Sequence, residues 1–290
     1  MVILKKGANV AHILEKGAEI KSFTIDGEEF LWNKEEFWAK TSPILFPFVG
    51  GLRDNKYEYK GKEYTITTRH GFARDNVFEV VEKHEDRAIF KFSSNEETLE
   101  KYPFNFDLFL EYILTDNGFE IKYKVVNLDK DEMYFSIGAH PAFALQNDYE
   151  GNAYIEFEEQ EDAKKYKLDL KTGFYDGMKD FFSLQEDKTK LEIVDENFVE
   201  DAISFKNLNS TKVYIKSRTN KKEVMVDFKD FPYIAFWKPL NAPFVCIEPW
   251  YGINDILNTS NDIIAKEGIQ KLNGNSEFNS KLKFEFKRGY

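Results

Sequence analysis

Four histidines, His12, His70, His84 and His140, are the side chains that titrate near neutrality, so proton-transfer chemistry is sought first at one of them. His140 stands in Ser136-Ile137-Gly138-Ala139-His140-Pro141-Ala142-Phe143. The small residues before it allow close packing, and Pro141 drives His140 towards extended backbone. An imidazole held by a rigid apolar stretch is presented as a general acid would be; a buried structural histidine is the other reading. His70 stands in Thr68-Arg69-His70-Gly71-Phe72-Ala73-Arg74-Asp75. Gly71 opens backbone geometry closed to other residues, and arginines on both sides supply donors for hydroxyl or anionic oxygens. The same run also reads as a surface loop with scattered charge. His12, between Ala11 and Ile13, and His84, among Lys83, Glu85 and Asp86, have no neighbours that give them a role. They read as structural or solvated.

The third chemical cluster is Phe244-Val245-Cys246-Ile247-Glu248-Pro249-Trp250-Tyr251-Gly252-Ile253-Asn254-Asp255. Glu248 ends an apolar strand pattern, where desolvation raises a carboxyl towards the range of a general base. Trp250 offers a flat apolar face for a sugar ring, or for the core. Cys246 has no activating base beside it and reads as a small core residue. Two histidines and a glutamate invite a zinc site, but no His-x-x-x-His or Cys-x-x-Cys spacing is present, so no metal is expected. A Gly-x-Ser-x-Gly elbow is absent, as is a glycine-rich loop for phosphates or dinucleotides.

The elements that must position these groups are strands. Lys56 to Lys60 and Glu63 to Thr67, around Gly61, alternate as a hairpin. Phe106 to Leu114 and Phe119 to Val126 flank Asp116-Asn117-Gly118, where an Asn-Gly pair predicts positive φ at both central positions of a tight turn. Further strands are expected at 77–81, 87–92, 153–157, 212–216, 223–228 and 281–287. Helical signals are confined to Ser94–Lys101, acidic at its start and followed by Pro103, and to a short turn within Asp180–Asp187. The acidic run Glu158–Asp162 is expected at the surface. No repeat or linker divides the chain, so residues 1–290 are expected to form one all-β domain, two broad antiparallel sheets packed as a sandwich.

Composition narrows the function classes. The 290 residues carry 40 Lys+Arg against 51 Asp+Glu, a net charge of −11. That balance, with the two signs interleaved, argues against a nucleic-acid groove. With 42% hydrophobic residues, 28 of them Phe, there is ample material for a core. The single cysteine forms no intrachain disulfide, the N-terminal stretch lacks a long apolar run, and the apolar segment Pro43–Leu52 is short and broken by Pro47. No membrane partner and a cytoplasmic location are expected.

Taken in order, Pro43-Ile-Leu-Phe-Pro-Phe-Val-Gly50, Arg69-His-Gly-Phe-Ala-Arg74, Tyr102-Pro-Phe-Asn-Phe106, Gly138-Ala-His-Pro-Ala-Phe143 and Cys246-Ile-Glu-Pro-Trp-Tyr-Gly252 resemble the aldose 1-epimerase (galactose mutarotase) superfamily, and most its shorter bacterial branch. The resemblance implies a β-supersandwich with an open cleft on one sheet, no cofactor, and a small-molecule aldose as partner. It implies catalysis by Glu248 as general base at the anomeric hydroxyl and His140 as general acid at the ring oxygen. It implies sugar contacts from His70 and Arg53, with Asp201 as the acidic ligand to hydroxyls; Arg74 and Trp250 complete the candidate set. Arg69 and Arg74 around His70 leave open a hexose 6-phosphate as substrate. A carbohydrate-binding protein without turnover is a third reading, and glycoside hydrolysis, which needs two carboxylates, a distant fourth.

Overall fold

The computed structural model describes residues 1–145, 151–162, 164–181, 184 and 188–289. Period-two alternation fills it with strands, and two large antiparallel sheets result. The larger has nine strands, in the order Lys190–Glu192, Ala153–Phe157, Lys212–Ser217, Glu223–Asp227, Glu277–Lys287, Gly118–Asn127, Phe106–Leu114, Arg87–Ser93 and Glu79–Lys83. The smaller runs Ile203–Lys206, Tyr233–Trp237, Phe244–Tyr251, Ile137–Ala139 and Ile44–Leu45, with Ala142–Ala144 also paired to Phe244–Tyr251. A four-stranded sheet is built from residues 2–29. Among the described residues no helix is long and apolar enough to cross a membrane.

The two large sheets share one core. Phe106, Leu108, Leu110, Tyr112 and Leu114 are buried while the residues between them are not. Ile234, Phe236, Val245 and Ile247 of the smaller sheet join the same buried cluster. Phe157 meets Phe236 at 5.7 Å between ring centroids, and Phe143 meets Phe284 at 5.9 Å. Each such side chain contributes about 1.5–3 kcal/mol by leaving water. Because Val245 and Ile247 point into this core, Cys246, Glu248 and Trp250 must project from the opposite face of the same strand. That face carries the candidate site.

The hairpin Lys56–Tyr59 with Lys62–Thr65 forms as expected, turning through Lys60 and Gly61 at φ 50° and 74°. The helix Glu96–Lys101 forms under an Asn95–Thr98 capping box. Other details differ. Around Asn117 and Gly118 the chain turns with neither residue at positive φ. Gly118 already belongs to a strand, and a Cβ there would stand 2.0 Å from the Phe284 carbonyl oxygen. The glycine serves close strand approach, not the turn. Within the acidic run, Glu161 is buried, because its carboxylate accepts the backbone N–H groups of Asn209 and Ser210 at 2.9 and 2.6 Å. Of the turn expected at Asp180–Asp187, Asp180 and Phe181 end the strand Phe174–Phe181. Residues 182, 183 and 185–187 lie outside the described residues.

Candidate active site

Backbone pairing brings His140 to Glu248. Gly138 lies opposite Trp250, and Ala142 opposite Cys246. Counting inward two residues from each pair puts His140 directly across from Glu248. Pro141 has no N–H for the ladder, which lapses between these strands, although Ile247 N–H still reaches the Pro141 carbonyl at 3.2 Å. Nε2 of His140 and Oε2 of Glu248 are 3.2 Å apart, and both side chains are buried. The small residue before His140 has a reason: a Cβ on Gly138 would lie 2.6 Å from Cδ1 of Trp250. The Trp38 indole stacks on the His140 ring at 4.7 Å and 28°, and Trp237 meets it edge-on at 5.6 Å.

His70 comes from another part of the chain. It adopts φ 64° and is followed by Gly71 at φ 70°. A Cβ on Gly71 would sit 2.2 Å from the Phe46 carbonyl oxygen, so only glycine fits this crossing. The bend carries the His70 ring to 5.6 Å from that of His140, nearly perpendicular to it. Its Nδ1 accepts the Gly50 N–H at 3.1 Å.

These groups line a cavity of about 330 Å³, with Arg69, Arg74 and Asp201 on its walls. Such a volume lies at the low end of the roughly 300–1,000 Å³ found for small-molecule sites. Larger hollows on the outer face of the nine-stranded sheet are lined by lysines and acids around Phe109 and Tyr214, without histidine. Burial pushes the Glu248 carboxyl well above its usual range, and Asp201 acts in the same direction. The Trp250 indole and the positive charge of Arg69 oppose the rise. Burial, aided by Arg74, lowers His140 to about 3. Burial also holds His70 well below its usual range, with His140, Arg74 and Arg69 adding to the effect. The arrangement can hold a proton on either member of a buried carboxyl–imidazole pair, in the lining of a pocket rich in hydrogen-bond donors.

Seven sequence candidates divide unevenly. His140, Glu248, His70, Arg74, Asp201 and Trp250 all line the cavity. Trp250 is 4% exposed and packed with Leu45, Val49 and Tyr233, as its core reading has it, and it also lines the cavity. Arg53 does not line it. Its guanidinium is taken by the Thr259 carbonyl and the Asn261 side chain, and its backbone N–H donates to Asp255 at 2.8 Å. Arg69 stands at the wall instead. Trp38, Tyr175, Trp237 and Asn254 also line the cavity and were not among the sequence candidates. Only Asn254 had a signal, its closeness to the Glu248 motif.

Cys246 extends the pair towards a possible ligand set, since His140, Cys246 and Glu248 place ligand atoms within 4.8 Å of one another. A metal there would have to displace the proton of a thiol that burial pushes far up, and would part a pair already in hydrogen-bond contact. Cys246 packs with Trp32, Ala142, Ala242 and Phe244, as a core residue does.

The family model described as aldose 1-epimerase matches residues 1–268. The chain is 34% identical over 258 residues to protein LacX, plasmid, of Lactococcus lactis subsp. lactis, covering 85% of this chain and 86% of that one. Its fold superposes on a galactose mutarotase related enzyme from Lactobacillus acidophilus with a TM-score of 0.92, at 30% identity over 99% and 97% of the two chains. A galactose mutarotase-like protein from Lactobacillus casei ATCC 334 gives 0.93, at 29% identity over 99% and 100%. The sheets, the motifs they carry and these matches agree: the chain belongs to the aldose 1-epimerase family.

Proposed function

We propose that the protein interconverts the α and β anomers of an aldohexose, with Glu248 as general base and His140 as general acid. The observation that carries the reading is the 3.2 Å contact between His140 Nε2 and Glu248 Oε2 in the lining of a cavity of monosaccharide size. In ring opening, the Glu248 carboxylate takes the proton of the anomeric hydroxyl, the C1–O1 bond becomes a carbonyl, and C1–O5 breaks. O5 receives the proton of a His140 imidazolium. Rotation about C1–C2 presents the other face of the aldehyde, and re-closure returns both protons. Each group contributes about 10²–10⁴-fold to such a step, and holding the sugar in place adds more.

The proton balance of the pair suits a reversible reaction. Carboxylate plus imidazolium, the pair that opens the ring, holds as many protons as carboxylic acid plus neutral imidazole, the pair that closes it. Burial favours the neutral pair in the empty site. Arg69, which stabilises the carboxylate form, reduces that preference. One protonation level of the enzyme therefore serves both directions.

Polarimetry on freshly dissolved α-glucose and α-galactose tests the reading. Equilibration faster than the uncatalysed rate, lost in Glu248→Gln, is expected; no acceleration on any aldose, with sugar binding intact by calorimetry, leaves a carbohydrate-binding protein without turnover. A second reading, the same chemistry on a hexose 6-phosphate, is favoured by Arg74. Its buried Nε has no hydrogen-bond partner, only a 3.8 Å ion pair with Asp75, and Arg69 stands on the same cavity. Anomer exchange by NMR on both substrate types separates them: Arg74→Ala cripples turnover of the phosphate ester alone if that reading holds.

A further inference from the structure

Asn254 is 4% exposed and uses both ends of its amide. Oδ1 accepts the Gly51 N–H at 2.8 Å, and Nδ2 donates to the Gly173 carbonyl at 2.7 Å. One side chain thus ties the loop after the Glu248 strand to the Gly50–Gly51 segment and to the turn before the strand Phe174–Phe181. The fit is close. A Cβ on Gly50, which has φ 75°, would lie 2.5 Å from Asn254 Cα and 2.7 Å from its Oδ1. The Gly50–Gly51 peptide is held from its other side by His70, whose backbone N–H donates to the Gly50 carbonyl at 2.6 Å.

The adjoining Val49–Gly50 peptide sets what the His70 ring can do. The Gly50 N–H points at His70 Nδ1 from 3.1 Å. A backbone N–H only donates, so Nδ1 is the acceptor, and a neutral imidazole then carries its proton on Nε2. Desolvation, which holds His70 well below its usual range, keeps the ring neutral. We infer that Asn254 is a positioning residue: by locking the Gly50–Gly51 peptide it holds the adjoining Gly50 N–H in place, and so fixes His70 as an Nε2–H donor towards the cavity. For a sugar this means a donor to an oxygen lone pair, where the opposite tautomer would present a lone pair against another lone pair. The role of that donor in turnover rests on the proposed epimerase reading; the tautomer does not.

The test uses the full chain with ¹⁵N-labelled histidine. Long-range ¹H–¹⁵N spectra read the tautomer of each ring, and His70→Asn identifies the His70 signals. The wild type is expected to hold His70 in the Nε2–H form alone; an Nδ1–H form overturns the inference. In Asn254→Leu, His70 is expected to populate both tautomers, with kcat for anomer exchange down about 10–100-fold, as small misplacements cost. A folded Asn254→Leu that keeps the single Nε2–H form and full kcat overturns it. Should Asn254→Leu fail to fold, Asn254→Asp decides. It retains the acceptor for Gly51 and is expected to keep the Nε2–H form; mixed tautomers in that variant overturn the clamp. A protein inert on every aldose but with the expected tautomers would sink the epimerase reading and leave this one standing.

Discussion

His140 and Glu248 stand opposite each other across a pair of antiparallel segments, 3.2 Å apart between Nε2 and Oε2. Cross-strand neighbours on one face have Cβ atoms about 4.5–5.5 Å apart, so the ladder itself delivers a carboxyl and an imidazole to a common cavity. The outcomes below follow from that contact and from the groups around it.

Glu248→Gln and His140→Gln are each expected to slow anomer exchange by about 10²–10⁴-fold. The double variant should be little slower than the slower single one, because two groups that pass one proton relay fail together. Losses that multiply, measured by saturation-transfer NMR, would mean that the two act independently.

The pH profile should be broad. His140 has its pKa lowered to about 3, so the doubly protonated pair appears only below that point. Glu248 is raised well above the usual carboxyl range, so the shared proton is lost only on the alkaline side of that range. The plot of kcat/KM against pH is expected to be flat above an apparent acid limb near 3 that belongs to the pair as a whole, up to the loss of the shared proton. An acid limb near the ordinary histidine value would contradict this, provided circular dichroism shows the fold intact there.

Stability should respond to the same burial. A folded-state pKa raised above the unfolded value gives stability that is fully present at low pH and lost as pH rises through the folded pKa. Glu248→Gln removes that loss, so its Tm relative to wild type is expected to increase from pH 5 to pH 8 while activity is gone. A constant Tm difference across this range would show that Glu248 titrates alike in both states.

Trp38 covers one face of the His140 ring. A cationic imidazole over an indole gains about 0.5–2 kcal/mol. Trp38→Leu is therefore expected to lower kcat by about 2–30-fold and to move the acid limb further down, whereas Trp38→Phe recovers most of both. Equal loss in the two variants, with an unmoved pH profile, would reduce Trp38 to a packing role.

Arg53 braces the 255–261 loop from outside the cavity. Arg53→Ala should lower Tm by a few degrees, the consequence of about 1–2 kcal/mol, and leave KM for the sugar nearly unchanged. A large rise in KM with Tm preserved would return Arg53 to the binding residues.

Much of this is legible in the sequence. Alternation marked the strands because half-buried pleats bury every second residue, as Phe106 to Leu114 do. His140, Glu248 and His70 stood out because Pro141, Gly71 and an apolar strand constrain them locally. What stayed hidden depends on contacts between distant segments. Which strand lies beside Phe244–Tyr251 is a matter of topology, so the facing of His140 and Glu248 came only with the fold. The family resemblance implied Arg53 as a sugar ligand, yet Thr259 and Asn261 capture its guanidinium first. Trp38 lies in an irregular stretch with no periodicity, and Asn117-Gly118 carries a turn signature that strand crowding against Phe284 overrides.

The two groups proposed to react are stitches in one fabric, fastened by the backbone pairs of Gly138 with Trp250 and Ala142 with Cys246. No hinge has to swing to bring them together, so warming gives the machinery no way to come apart before the sheet does. Turnover should climb with temperature until the cooperative melt and fail only there, and sliding either strand by a single residue would turn its group away from the cavity.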